Sequence, residues 1–242
     1  MTQGDSLMKL YIYTIIRLLV FSVLLLTSQT ANAHFPWLVV EGGKANYFFG
    51  EDPSNRTYRL PPTIAKAEIM MRSGADKSVV ETKLIESEKF VGKQSVNSIP
   101  DKAELMSRVV FGVYNGAKLQ YYTQHLGGVM PKSFSDCKPI KDMSLQAHAV
   151  NTEKGVDIYV LWQGKPLKDA DVSLYGDEGS QEGAGVTGQD GKVSFTDEEV
   201  GKGINGIMVG LTLTEDSGSV GDQEYDSSMH YLTATFVDPE DK

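Results

Sequence analysis

The sequence predicts an all-β protein: two antiparallel β-sandwich-like domains behind a cleaved signal peptide. Three observations lead there. Apolar and polar residues alternate over many short runs, the period of a half-buried strand. Turn-forming clusters of Gly, Asn, Asp and Pro separate those runs at short intervals. Helical periodicity is scarce.

The chain opens on a targeting segment. Lys9 and Arg17 precede or interrupt an apolar run that ends in LLVFSVLLL (18–26), and Ala31 and Ala33 occupy the small-residue positions before a cut. Cleavage after Ala33 is expected, at Ala31-Asn32-Ala33-His34, leaving residues 34–242. The stretch from Leu10 to Leu26, broken by Arg17, is short for a membrane span, so no stable membrane insertion is expected after cleavage. A periplasmic or secreted location follows.

The full chain carries 23 basic and 32 acidic residues; losing residues 1–33 removes Lys9, Arg17 and Asp5 and leaves a net charge of −10. That balance repels nucleic acid and anionic membrane surfaces and suits cations or neutral partners. Cys137 is the single cysteine, so no disulfide framework supports the fold and a packed core must.

In the first domain, residues 34–140, strand candidates are HFPWLVV (34–40), ANYFF (45–49), IAKAEIMM (64–71), SVVETKLI (78–85), LMSRVVFGVY (105–114) and KLQYYTQ (118–124). Asn115-Gly116 reads as a hairpin turn, and PDKAEL (100–105) as a short helical turn. Residues 127–142, rich in Gly, Pro, Ser and Lys, read as a connector, with the domain boundary near residue 140. The second domain, 141–242, holds LQAHAVN (145–151), VDIYVLW (156–162), ADVSLYG (170–176), GVTGQDGKVSFT (185–196), INGIMVGLTLTE (204–215) and HYLTATFV (230–237). Short strands with turns at this spacing predict an Ig/prealbumin-like β-sandwich. The acidic run EDSGSVGDQEYDSSM (215–229) reads as a solvated loop.

The segment from VLWQGKPLKDADVSLYG to VTGQDGKVSFT resembles the prealbumin-like or carboxypeptidase-regulatory-like sandwich of secreted bacterial proteins. HFPWL at 34–38, that module, and HYLTATF at 230–236 together make the chain similar to a family of uncharacterised periplasmic proteins grouped with cobalt and nickel uptake components. The resemblance covers nearly all of 34–238. It implies a periplasmic protein that binds a transition metal and assists its uptake or delivery, with a membrane metal transporter as a partner. The chain departs from that pattern in its acidic insertion and in having only four histidines, which argues against a high-capacity metal store.

Cleavage would make His34 a free N-terminus, able to chelate through its amine and Nδ1. His230 is its expected partner, which would complete a histidine brace, and His125, at a strand end before Gly127-Gly128, is the third candidate ligand. His148, on an alternating strand, reads as structural. Copper, nickel and cobalt suit such nitrogen ligands, with copper(II) bound most tightly. Two alternatives stand beside this reading: a brace-type copper redox enzyme, and a non-enzymatic carbohydrate-binding or adhesion module. No GxSxG, P-loop, Rossmann or HExxH pattern occurs, so binding is favoured over catalysis.

Overall fold

The computed structural model describes residues 34–73, 76–100 and 102–238, and His34–Lys242 form one compact unit. The expected cleavage segment lies outside the described residues. The fold is all-β.

The first sheet begins with a hairpin. Strands β1 (Phe35–Glu41) and β2 (Lys44–Gly50) pair in full register from Glu41–Lys44 to Phe35–Gly50. The two-residue turn between them uses Gly42 and Gly43 at φ 55° and 71°, the left-handed pair that a tight hairpin turn requires and that glycine adopts without steric cost. Strands β6 (Val91–Ser95) and β5 (Thr82–Glu86) extend this sheet in the order β1-β2-β6-β5.

An eight-stranded sheet runs β13 (Gln181–Val186), β12 (Asp171–Tyr175), β15 (Gly203–Leu213), β18 (Ser227–Asp238), β8 (Ala117–Leu126), β7 (Glu104–Tyr114), β3 (Met70–Ser73), β4 (Asp76–Val79). Its pairings are antiparallel except at the centre, where β18 runs parallel to β8. A third sheet holds β9 (Leu145–Thr152), β10 (Gly155–Trp162), β11 (Lys165–Pro166) and β14 (Lys192–Thr196).

Alternation along the central strands shows how the layers stack. On β18, Leu232, Ala234 and Phe236 join one core with Leu145, Ile158 and Val193 of the third sheet. Met229 and Tyr231 join a second core with Phe35, Leu38 and Tyr47 of the first sheet. On β8, Tyr122 belongs to the former core, and Leu119 and Tyr121 to the latter. The centre of the eight-stranded sheet is thus buried on both faces, and three layers stack around two large cores, with a smaller cluster around Trp37, Val39 and Phe48. Burial of this apolar surface is the main stabilising term. Three hydroxyls fix β1 on the central sheet: Thr123 and Thr233 donate to the Pro36 carbonyl, and Thr235 to the Leu38 carbonyl. Gly206 on β15 allows a further close approach, since a Cβ there would lie 2.9 Å from the Trp37 ring.

Several expectations change. Residue 140 does not separate two domains with sheets of their own, because β8 precedes it, β18 follows it, and they pair over ten residues. The strand expected over 64–71 begins only at Met70; Pro62–Ala65 form a short helix, α1, with proline at its start, where φ is already helical and no N–H is needed. The strand expected over 78–85 is two strands, β4 and β5, in different sheets. Lys102 to Leu105 carry no helix and run into β7. The acidic run 215–229 is not wholly loop: β16 (Gly218–Val220) and β17 (Gln223–Tyr225) form a two-stranded ribbon. The turn at Asn115-Gly116 is present, with both residues at positive φ. Among the described residues no helix is long and apolar enough to cross a membrane.

Candidate functional site

His34 enters β1 at the rim of the first sheet. The β1–β2 register places Phe35 opposite Gly50, so the next positions outward bring His34 beside Glu51. His34 Nε2 lies 3.7 Å from Glu51 Oε1. The imidazole also packs on Tyr58, with ring centroids 3.8 Å apart, and stacks near Phe49 at 5.9 Å. His34 is partly exposed and Tyr58 more so, which leaves the corner open to solvent. A gap of 3.7 Å exceeds a direct hydrogen bond. The pairing places a carboxylate beside the imidazole at the strand entrance.

His230 faces the other side of the central sheet. Its parity on β18 matches Leu232 and Ala234, so its ring meets the third sheet, with the Trp162 ring centroid 4.7 Å away. Both nitrogens are engaged: Nδ1 lies 3.2 Å from the Tyr122 hydroxyl and Nε2 2.9 Å from the Ser228 hydroxyl. Burial lowers its pKa to about 4, helped by the nearby Lys118 charge and opposed by Asp216, so the ring is neutral at pH 7. It forms one wall of an open polar cleft with Arg108, Lys118, Gln120, Trp162 and Asp216. Lys118 donates to Asp216 at 2.8 Å and to the Tyr225 hydroxyl at 3.0 Å.

His125 faces the first sheet. Its Nδ1 lies 2.9 Å from Thr235 Oγ1. The Thr235 hydroxyl already donates to the Leu38 carbonyl, so it accepts from the ring, which puts the proton on Nδ1 and leaves Nε2 as the lone-pair nitrogen. Burial lowers the His125 pKa to about 4. The ring borders a mainly apolar cavity with Val40, Met130 and Val237.

The three candidate histidines are therefore not brought together. The central sheet stands between His34 and His230, and the expected brace between them is not assembled. Among the described residues no three His, Cys, Asp or Glu side chains converge on one point. Of the acidic run, Glu215 and Asp216 line the cleft beside His230. Sequence reading missed Glu51 as the neighbour of His34. Its signal was the Gly42-Gly43 turn: counting outward in paired steps from that turn brings residue 51 to residue 34.

No model of a known protein family matches the chain, and no curated protein matches it.

Proposed function

We propose that the protein is an exported binding protein for a transition-metal ion, with its site at the start of β1. The observation that carries this reading is the placement of Glu51 beside His34, 3.7 Å from Nε2, in a corner open to solvent. Cleavage after Ala33 would free the His34 amine. Amine and Nδ1 then chelate the ion, after the ring turns from its present pose, and the Glu51 carboxylate supplies a third donor. Two nitrogens and one oxygen suit copper(II) above nickel and cobalt. The ion is cargo: an open corner lets it exchange, as delivery to a membrane transporter requires. Tyr58 and Phe49 shield one side of the ring.

Copper(II) titration of protein beginning at His34, against protein carrying one extra N-terminal residue, tests the reading. The extension is expected to weaken binding by roughly 100-fold, and Glu51→Gln by roughly 10-fold. Equal affinity in the extended and unextended proteins would falsify the amine chelate.

One observation favours a second reading, a carbohydrate-binding module. The cleft beside His230 combines the Trp162 ring with Gln120, Gln163 and Arg108, an aromatic wall with convergent polar groups. Trp162 fluorescence that does not respond to any of a panel of oligosaccharides excludes it.

A further inference from the structure

One end of the layered core is left unfilled. Strands β1, β8, β9 and β18 all finish there, and the chain leaves β8 through Gly127 and Gly128. Val40, Leu126, Met130 and Val237 line a mainly apolar cavity of about 410 Å³ between those strand ends. Val40 is near the far end of β1 from His34, roughly 20 Å away by strand rise. The cavity is also at the far end of β8 from Lys118 and Gln120, which line the His230 cleft.

Backbone contacts hold the walls in place. Gly127 passes so close to Ala103 that a Cβ would lie 2.0 Å from the Ala103 carbonyl oxygen. The Asn151 N–H donates to the Pro131 carbonyl at 2.9 Å, tying the connector to the end of β9 beside Met130. Among the described residues, Lys102 is the charged member of the wall. A Cβ on Gly128 would stand within 3.5 Å of the Lys102 Cα, Cβ and Cγ, so the apolar stem of the lysine flanks the cavity. The side chain is exposed, and its ammonium stays in water.

His125 is the polar group held in a fixed state. Its register partner Thr235 donates its hydroxyl to the Leu38 carbonyl, so Nδ1 carries the ring proton and gives it to Thr235 Oγ1 at 2.9 Å. That bond sets both the tautomer and the ring orientation, and Nε2 presents a lone pair. The residue is only 3% exposed, yet Nε2 has no hydrogen-bond partner among the described residues and is not sealed from solvent. The opening that reaches the ring is this cavity. Burial lowers the His125 pKa to about 4, so the ring is a neutral acceptor at pH 7. The mouth adds an independent observation. Val129 is 89% exposed and Val237 40%, and both border the cavity. A single exposed valine is ordinary; two at one rim extend the apolar wall outward into solvent, as a site for an apolar ligand does.

We propose that this cavity binds a neutral, largely apolar small molecule bearing one hydroxyl, a phenol or an apolar alcohol, whose O–H donates to His125 Nε2. Its volume and its mostly apolar wall with few polar groups are those of small-molecule sites. The imidazole selects the head group. With its proton turned toward Thr235, the ring offers the cavity only an acceptor, so the ligand must donate. An ether cannot donate, and a carboxylate would bring a charge into an apolar site to face a lone pair. The apolar body of the ligand lies against Val40, Leu126 and Met130, and binding takes the exposed valine surface out of water. The site does not depend on the His34 reading, since it uses no metal and no free amine.

Calorimetric titration of the metal-free protein with thymol, with its methyl ether and with the carboxylate that replaces its hydroxyl tests this. Thymol is expected to bind roughly 10-fold more tightly than the ether, and the carboxylate more weakly than either. His125→Asn keeps a donor for Thr235 but has no counterpart of Nε2. It should bring thymol down to the affinity of the ether and leave the ether unchanged. Val237→Trp, at the partly exposed rim, should block the mouth and weaken thymol and ether alike, with circular dichroism unchanged. Absence of saturable binding by both thymol and the ether overturns the cavity as a ligand site. Equal affinities for the two overturn the His125 contact, and that comparison needs no variant to fold. A carboxylate that binds more tightly than thymol moves the head group to Lys102 and overturns the neutral ligand. Full thymol affinity in a folded Val237→Trp protein puts the bound molecule elsewhere and overturns the location.

Discussion

His34 and His230 occupy opposite faces of the central sheet and have opposite chemical circumstances. His34 stands at a strand entrance, partly exposed, with a carboxylate 3.7 Å from its ring. His230 is 4% exposed, with a hydroxyl at each nitrogen and an indole against its edge. Availability of a lone pair, with a route for the ion to reach it, separates a candidate ligand from a structural histidine. A histidine at a strand end is not enough, since both meet that description in sequence.

The largest expected effect that sharpens this contrast is acid destabilisation by the buried rings. His125, His148 and His230 are each held near a pKa of about 4, chiefly by burial, against an unfolded value of about 6.5. The folded rings stay neutral where the unfolded chain binds protons. Their contribution is complete above pH 6.5 and is lost as pH falls from about 6.5 to 4, with nothing further lost below that. A depression of this size corresponds to at most about 3.4 kcal/mol per ring. Urea midpoints measured across pH 7 to 4 should therefore fall steeply. A flat profile would show that the buried rings accept protons without cost.

Next comes His230→Ala. It removes two hydrogen bonds and leaves a cavity beside Trp162, with an expected loss of about 2–4 kcal/mol in chemical denaturation. Copper(II) affinity at the His34 corner should stay within about twofold of wild type, because the sheet separates the two positions. A tenfold loss of affinity in a folded His230→Ala protein would put His230 back among the ligands. Thr235→Val is smaller. It breaks the chain Leu38 carbonyl–Thr235–His125 and should cost about 1–2 kcal/mol, measured by the same unfolding experiment.

Much of this was legible in the sequence, and what was not has a common physical cause. Alternation and turn chemistry report local structure, so the strands, the Asn115-Gly116 turn and the all-β class could be read directly. The parity of HYLTATFV even places His230 on one face with Leu232 and Ala234. Parity does not say what covers that face. The parallel pairing of β8 with β18 joins residues about a hundred positions apart, and no local pattern encodes it. Without it, the chain reads as two sandwiches, and nothing keeps the first and last strands from bringing two histidines to one ion. The His34–Glu51 pair was accessible through the register of a single hairpin. The cavity that His125 shares with Val129 and Met130 was not, because a connector without periodicity gives no indication of which side chains it turns inward.

The smallest expected effect separates electrostatics from packing around His230. Lys118 Nζ bonds Asp216 and the Tyr225 hydroxyl and sits 4.5 Å from the Tyr225 ring centroid, tying the β16–β17 ribbon to β8. The two charged side chains are 17% and 32% exposed, so solvent screens much of their attraction, and Lys118→Met should cost only about 0.5–1 kcal/mol of global stability. Its local consequences are more telling. The Lys118 charge helps to hold the His230 pKa down and Asp216 opposes it. Removing the lysine should shift the His230 titration upward. Faster amide exchange confined to 215–225 should accompany the shift as the ribbon loosens. NMR reads both changes in one sample. An unchanged His230 titration in Lys118→Met would mean that burial alone holds this pKa down and that the Lys118 charge has no part in it.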